Sequence, residues 1–420
     1  MEFIRISTFF RILWNYLDSD VLKIIKIISI LLLLLVVSCG EQSKESEEII
    51  KEIEKQPSQR ELDSIACVDS TKFYTERYPE IKYKAVKIEN WKQRSEIVRE
   101  WDIRRGNFTK YKALVTLNRK EINQMRLGDT ILIPDSVMDQ KAYSCFPQYY
   151  CGAKDIPKII IVSPKYLAYA CYEYGRLVRF AATNTGKERT PTFPGRYALE
   201  WKKKEHRSSL DSDWVMPFTI NFHQEAGNAF HKFTMPGYSA SHSCCRQFMD
   251  DAEWLFYWGR GYRLDTNRKR IPMSGTPVII IDVNEYQKKK KGPWLNIRSN
   301  KEIVVDLPED PMAVEEALIP WCQIPDGAKG RIKDKHRFRY AEDTLRARGV
   351  IREGVRLIET RNFNDERRKK EAAEAKKKAE EEKKKLEEGK ESELMREMEA
   401  IEKKLQEETV PDSIPRGAIN

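Results

Sequence analysis

The chain has 420 residues, more than a typical single domain, and its composition changes along its length. Lysine and arginine (75) outnumber aspartate and glutamate (65), so the formal net charge is +10 and the sequence pI is about 9.0. The basic residues are mostly interleaved with acidic ones, and no nucleic-acid reader motif is present. We therefore predict no nucleic-acid partner, because attraction to an anionic cell envelope accounts for the charge.

The amino terminus has the pattern of an export signal. An apolar run over 24–37 follows basic residues and ends in Val36-Val37-Ser38-Cys39-Gly40, which resembles a bacterial lipobox. The uninterrupted apolar stretch 30–37 is too short to cross about 30 Å of hydrocarbon, which argues against a permanent membrane helix. We predict a signal peptide over 1–38, lipidation of Cys39, and a lipid-anchored envelope protein facing the periplasm, in a leaflet that the sequence leaves open.

Residues 39–75 are rich in Glu, Lys, Ser and Gln with few large apolar groups, so we predict a lipidated tether there. Residues 80–136 have the pattern of a small α/β unit that closes with Gly128-Asp129-Thr130 before an apolar strand. This closing part resembles the end of a LysM module, a βααβ unit that binds peptidoglycan glycan chains. The opening half lacks the usual Gly-Asp-Thr turn, so an unrelated spacer is the alternative.

Residues 150–285 carry several apolar segments rich in β-branched and aromatic residues, which predict a mostly β domain. Within it, Cys244 lies two residues before Arg246 and close in sequence to His231 and His242. A thiol needs a base or a cation nearby to become a nucleophile at neutral pH, so this cluster favours thiol acyl-transfer chemistry. The alternative is a zinc site, but His242, Cys244 and Cys245 are too crowded for one tetrahedron, and we predict no metal and no cofactor.

In order and spacing, these segments resemble the L,D-transpeptidase (YkuD-type) catalytic domain, whose motif is a histidine followed by Ser-His-Gly-Cys-x-Arg. The resemblance covers about 157–283 and implies a β-sandwich with short helices. It implies that the thiol attacks a peptidoglycan stem tetrapeptide, releases D-alanine and leaves a thioester, with His231 as the base. The candidate catalytic residues are Cys244, His231, His242, Ser243 and Arg246, and the candidate substrate-binding residues are Met216, Tyr238 and Ser241.

Roles within this set follow from the resemblance. His242 and the amides at Ser243 and Cys244 would stabilise the oxyanion, and Arg246 would orient the loop or pair with a substrate carboxylate. Ser243 replaces the family's glycine, and a serine adopts some glycine backbone angles only with strain. Three functions therefore stay open: an L,D-transpeptidase, an L,D-carboxypeptidase that uses water as the acceptor, and a catalytically impaired wall-binding scaffold.

The remaining histidines and cysteines receive simpler interpretations. His223 is outside the motif and is predicted to pack structurally, whereas His206 is a candidate for a polar loop beside the groove. In an oxidising compartment, Cys145 and Cys151 would close a small disulfide loop; the alternative is that both thiols are free. Cys67, Cys171 and Cys322 are assigned only packing roles.

The C-terminal third contains no catalytic motif. Residues 286–360 form an uncharacterised extension, and 365–408 are dominated by Glu, Lys, Arg and Ala, which predicts a long charged α-helix before a tail over 409–420. Apolar residues recur with 4-3-4 spacing over 394–405, which is less than two heptads. A solvated single helix is favoured over a helix partner through 394–405.

Overall fold

The computed structural model describes residues 59–102, 108–286, 292–359 and 362–408. The predicted signal peptide, the lipidation site Cys39, the first part of the tether and the tail over 409–420 lie outside these residues. No helix in the described part of the chain combines the length and apolarity needed to cross a membrane. The chain divides into units at 1–69 and 70–420.

The regular elements follow one another as helix, small α/β unit, β-rich domain and helical extension. The strands are β1 (Tyr83–Lys87), β2 (Thr130–Pro134), β3 (Ile159–Ser163), β4 (Ala168–Glu173), β5 (Arg176–Ala182), β6 (Gly195–Ala198), β7 (Lys202–Arg207), β8 (Val215–His223), β9 (Asn228–Lys232), β10 (Cys245–Gln247) and β11 (Pro277–Ile280). The helices are α1 (Gln59–Glu76), α2 (Trp91–Trp101), α3 (Phe108–Asn118), α4 (Met249–Trp258), α5 (Asp326–Lys329), α6 (His336–Ala347) and α7 (Phe363–Glu408).

Two sheets build the β-rich domain, as predicted. One has the strand order β5-β4-β3-β11-β6 and the other β10-β9-β8-β7. Alternate residues of β3 and β11 pack with Ile220, Phe222 and Phe230 of the second sheet in one buried core. Because side chains alternate across a strand, this pairing of faces makes a β-sandwich.

Strand β3 is buried on both faces, which explains its continuous apolar sequence. Ile160 and Val162 face the core between the sheets, whereas Ile159 and Ile161 face a second core. Leu114 and Val115 of α3 belong to that second core. The unit that precedes the β-rich domain therefore shares a hydrophobic core with β3.

This upstream unit has the order strand, helix, helix, strand. β1 and β2 pair antiparallel, with Ala85 opposite Leu132, and Gly128 adopts a positive φ of 83° in the turn before β2. Helix α3 contacts β5 and is buried from Lys112 to Asn118. The identity of the whole upstream unit as a LysM-like module stays a prediction.

An ion cluster links α3 to β5 and to the first turn of α4. Lys112 Nζ lies 2.8 Å from a carboxylate oxygen of Asp250 and 2.5 Å from one of Asp251. Arg179 on β5 contacts both carboxylates, and Gln140 donates to Asp251. Burial alone would raise the pKa of Asp251, but the two cations outweigh burial and hold that pKa below its usual value.

The predicted disulfide between Cys145 and Cys151 is wrong. Cys145 is a free, buried thiol that accepts a hydrogen bond from Arg119 Nη2 at 3.8 Å, and burial raises its pKa to about 11. Cys151 is disulfide-bonded, but with a different partner. Cys67 is also disulfide-bonded, so the packing role assigned to it was incomplete.

The C-terminal extension packs on the β-rich domain. Ala317, Ile319, Ile324 and Leu345 are buried in the core between the sheets. Helix α7 follows, which confirms the predicted charged helix, although it begins two residues earlier than predicted. From residue 368 to 405 its side chains are exposed.

Candidate active site

Strand pairing brings the predicted nucleophile and base to one end of the second sheet. β10 runs parallel to β9, with Arg246 opposite His231 and Cys245 opposite Phe230. Cys244 directly precedes β10 and is partly exposed, whereas the Cys245 side chain is fully buried in the core, as expected for adjacent extended residues.

A cavity of about 360 Å³ contains both residues. Predicted residues that line it are His206, Met216, His231, Ser241, His242, Ser243, Cys244 and Arg246. The loop between β7 and β8 supplies a wall, including Trp214, and the C-terminal extension adds Pro325 and Arg331. Segments distant in sequence therefore form one concave site around the thiol.

The thiol of Cys244 is neutral at rest. Burial raises its pKa, and the backbone amide of Ala229 and the charge of Arg246 only partly oppose that effect. Among the described residues, its hydrogen bond is to the carbonyl oxygen of Gly227, at 3.8 Å, and not to an imidazole. Attack on a substrate therefore requires the Sγ atom to leave Gly227 and transfer its proton to a base.

The His231 imidazole is held by the backbone. The residue is 4% exposed, and Nδ1 lies 3.0 Å from the carbonyl oxygen of Lys232. Because a carbonyl can only accept, Nδ1 carries the proton and the Nε2 lone pair is left to accept another. Burial, opposed by the hydrogen bond to Lys232 and aided by the charge of Arg246, lowers the pKa of His231 to about 4, so the ring is also neutral at rest.

Ser243 occupies a backbone conformation that favours glycine. Its φ of 75° lies in the left-handed region, where a non-glycine residue costs about 1 to 2 kcal/mol. The Ser243 hydroxyl donates to Asn228 Oδ1 at 2.7 Å, and Oγ also lies 2.5 Å from the carbonyl oxygen of His242. The side chain thus ties the strained residue to the buried first residue of β9.

His242 and Arg246 hold the loop around the nucleophile. The His242 ring packs against Trp214, with ring centroids 5.2 Å apart, and burial together with Lys187 and Arg246 lowers its pKa to about 4. Arg246 donates to the carbonyl oxygens of Thr234 and Ala240, each at 3.2 Å. These bonds correspond to the loop-orienting role, one of the two that the sequence left open for this residue.

The other candidate residues are distributed over several environments. The Ser241 hydroxyl donates to the Cys244 carbonyl oxygen at 2.5 Å, which engages its proton within the loop. Tyr238 lines a different cavity, of about 560 Å³, together with Lys187 and Trp294. His223 packs against Tyr197, away from the lining of the Cys244 cavity, as its structural interpretation anticipated.

Sequence reasoning missed several groups that shape the site. The carbonyl oxygens of Gly227 and Lys232 contact the thiol and the imidazole, and backbone atoms leave no signal in residue types. Asn228 had a usable signal, because it is a polar residue three positions before His231 at the start of an apolar strand. Trp214 lay in a loop whose course cannot be read from periodicity.

Residues 157–280 match the family model of the L,D-transpeptidase catalytic domain, which confirms the resemblance drawn from the motif. Solved structures of L,D-transpeptidases are also similar. The enzyme from Stackebrandtia nassauensis is 19% identical, with 31% of this chain and 58% of that chain covered and a TM-score of 0.25. The enzyme from Xylanimonas cellulosilytica is 24% identical, with 29% of this chain and 59% of that chain covered and a TM-score of 0.23. L,D-transpeptidase 1 of Mycobacterium tuberculosis is 17% identical, with 30% of this chain and 61% of that chain covered and a TM-score of 0.23.

This chain therefore spans less than two thirds of the length of each of those structures. A comparison with curated proteins finds no match.

Proposed function

We propose that the domain over 150–285 is a peptidoglycan L,D-transpeptidase that uses Cys244 as its nucleophile. The observation that carries the proposal is that Cys244 and His231 line the same cavity, with Nδ1 of the imidazole hydrogen-bonded to a backbone carbonyl. The family-model match over 157–280 supplies the substrate class. Both reacting groups are neutral at rest, so the imidazole acts as a general base during attack.

In the proposed first step, Nε2 of His231 takes the thiol proton while Sγ bonds to the carbonyl carbon that follows the L-centre of diaminopimelate. Backbone amides at Ser243 and Cys244 would stabilise the oxyanion, an interaction worth about 3 to 4 kcal/mol when one donor is removed. The bond to the terminal D-alanine then breaks, and His231 returns the proton to the leaving amine. A thioester on Cys244 remains.

In the second step an acceptor attacks the thioester carbonyl and the thiol is regenerated. An amine from a neighbouring stem or from a protein would form a crosslink, whereas water would make the enzyme a carboxypeptidase. Product analysis separates these routes. The acyl group ends on an amine when a stem or a protein is the acceptor, and as a free carboxylate when water is the acceptor.

We further propose that the protein acts at the envelope, anchored through a lipid on Cys39 and facing the periplasm. The apolar run and the lipobox-like segment support this location, and the LysM-like closing sequence before β2 supports contact with glycan. Radiolabelled palmitate should enter the wild-type protein in bacterial cells and not Cys39→Ala. Equal labelling of both proteins would contradict the anchor.

The enzymatic proposal is tested by incubating the purified protein with disaccharide-tetrapeptide and measuring D-alanine release. Cys244→Ala should abolish release, whereas Cys322→Ala, which removes another partly exposed free thiol, should retain it. A carbapenem should add its mass to Cys244 in the wild type and the Cys322 variant.

The second candidate function is a wall-binding scaffold with impaired chemistry. The left-handed backbone of Ser243 and the hydrogen bond between the thiol and Gly227 favour this candidate. Binding to peptidoglycan without D-alanine release or carbapenem acylation would support the scaffold and contradict the enzyme.

A further inference from the structure

We propose that the first turn of α7 is a clamp that holds one wall of the acyl-transfer cavity in place. The wall is the loop over 208–214, between β7 and β8, and the clamp consists of Phe363, Asn364 and Arg367. The catalytic consequence of this inference rests on the proposed function, whereas the structural one does not. Neither the motif nor the family match includes this segment, because both end before the C-terminal extension.

Asn364 forms three hydrogen bonds with the backbone of the loop. Its backbone amide donates to the Leu210 carbonyl oxygen at 3.1 Å. Its side chain accepts from the Ser212 amide at 2.8 Å and donates to the Ser209 carbonyl oxygen at 3.3 Å. One residue of α7 therefore satisfies three backbone groups of a loop that lies between two strands.

Arg367 adds charge to the same contact. Its guanidinium lies 2.7 Å from a carboxylate oxygen of Asp211 and 2.9 Å from one of Asp213. Residues three and four positions apart share a helix face, so Arg367 projects on the same side as Asn364 and Phe363. The forked guanidinium holds two acidic side chains of the loop at once.

Phe363 connects the clamp to the nucleophile loop. Its ring centroid lies 5.6 Å from that of Trp214 and 6.2 Å from that of His242. Trp214 and His242 line the Cys244 cavity and contact each other. The three rings join the C-terminal helix, the cavity wall and the catalytic motif, so we assign Phe363, Asn364 and Arg367 as positioning residues.

Hydrogen exchange of the loop in the full chain tests the clamp without any substrate. The Trp214 amide donates to the Asp211 carbonyl oxygen, and the Ser208 amide donates to the Trp214 carbonyl oxygen. Neither bond involves a clamp residue, so their exchange reports loop order. The double variant Asn364→Ala/Arg367→Ala should exchange these amides about tenfold faster than wild type, because fewer interactions oppose local opening.

Arg368→Ala is the matched control, because Arg368 is 72% exposed and pairs with Asp365 on its own helix. It should leave loop exchange at the wild-type rate. Asp213→Asn, which removes one exposed ion pair, should give about a twofold increase and tests the clamp even if the double variant is poorly folded. Wild-type exchange rates in both Asn364→Ala/Arg367→Ala and Asp213→Asn would overturn the proposal.

Turnover provides the second measurement. The double variant should raise the KM for tetrapeptide about fivefold and leave kcat within about twofold, because the cavity wall loosens while Cys244 and His231 stay in place. Faster loop exchange with an unchanged KM would overturn the positioning role. If wild type releases no D-alanine, the proposed function fails, and loop exchange still decides whether the clamp exists.

Discussion

The upstream unit and the C-terminal extension each contact the β-rich domain through a pair of aspartates and a basic side chain. One of these contacts is buried and the other is exposed. In the upstream contact, the side chains of Lys112 and Asp251 are 5% and 0% exposed. In the C-terminal contact, the side chains of Arg367 and Asp213 are 40% and 72% exposed. The buried ion pairs of Lys112 should therefore stabilise the fold, whereas the exposed ion pair between Arg367 and Asp213 should only position a loop.

Breaking the buried contact should have the largest effect. Lys112→Ala leaves Asp250 and Asp251 with one cation instead of two, and removing a partner from a buried ion pair typically costs about 3 to 5 kcal/mol. We expect a loss of that size in the free energy of unfolding, measured with urea. Lys110→Ala is the control on the same helix, because Lys110 pairs with Glu100 at the surface. Equal losses in the two variants would contradict the role of burial.

The C-terminal extension also has a buried contact, and pH should reveal it. The His223 ring packs between Tyr197 and Phe338 of α6, and Nδ1 accepts a hydrogen bond from the Ala226 amide. Burial lowers the pKa of His223 to about 4, below the value of about 6.5 in an unfolded chain. The unfolded state then binds the proton more readily, so this contribution to stability is complete above about pH 6.5 and is lost as the pH falls towards 4.

His223→Gln isolates this effect. Between pH 7 and 4, the wild type should lose about 3 kcal/mol more unfolding free energy than the variant, as measured by urea unfolding at several pH values. Because the distant titrating groups are common to both proteins, the difference reports His223 together with Glu225, whose carboxylate lies 3.7 Å from Nδ1. If the unfolding free energies of the two proteins changed with pH in parallel, burial between β8 and α6 would not lower the pKa of His223.

The loop that contains Ser243 provides a third test. At position 243 the backbone is left-handed, so glycine should be more stable there than alanine by about 1 to 2 kcal/mol. Ser243→Gly and Ser243→Ala both remove the hydrogen bond to Asn228, so the difference between their unfolding free energies reports the backbone alone. An alanine variant as stable as the glycine variant would contradict strain at this position.

Sequence reasoning succeeded where side-chain pattern decides structure. The apolar run over 159–162 predicts a buried strand, and the motif around Cys244 predicts the domain that contains it. The partner of the second face of β3 could not be predicted, because Leu114 and Val115 belong to a helix some 45 positions earlier.

The disulfide prediction failed for the same physical reason. Proximity in sequence suggested a pair between Cys145 and Cys151, but the fold directs the Cys145 thiol towards Arg119. The contact of Phe363 with His242 also joins residues more than a hundred positions apart. Neither contact follows from local periodicity, which describes faces of elements rather than their partners.

The smallest effect on stability should come from the exposed contact. Arg367→Ala should shift the melting temperature of the full chain by less than about 3 °C, as should Arg368→Ala, because solvent screens both guanidinium groups. A shift as large as that of Lys112→Ala would mean that the start of α7 belongs to the cooperative core. With a small shift, faster exchange in the 208–214 loop would be a local effect, because cooperative unfolding would then depend on the cores that bury Leu114 and Leu345.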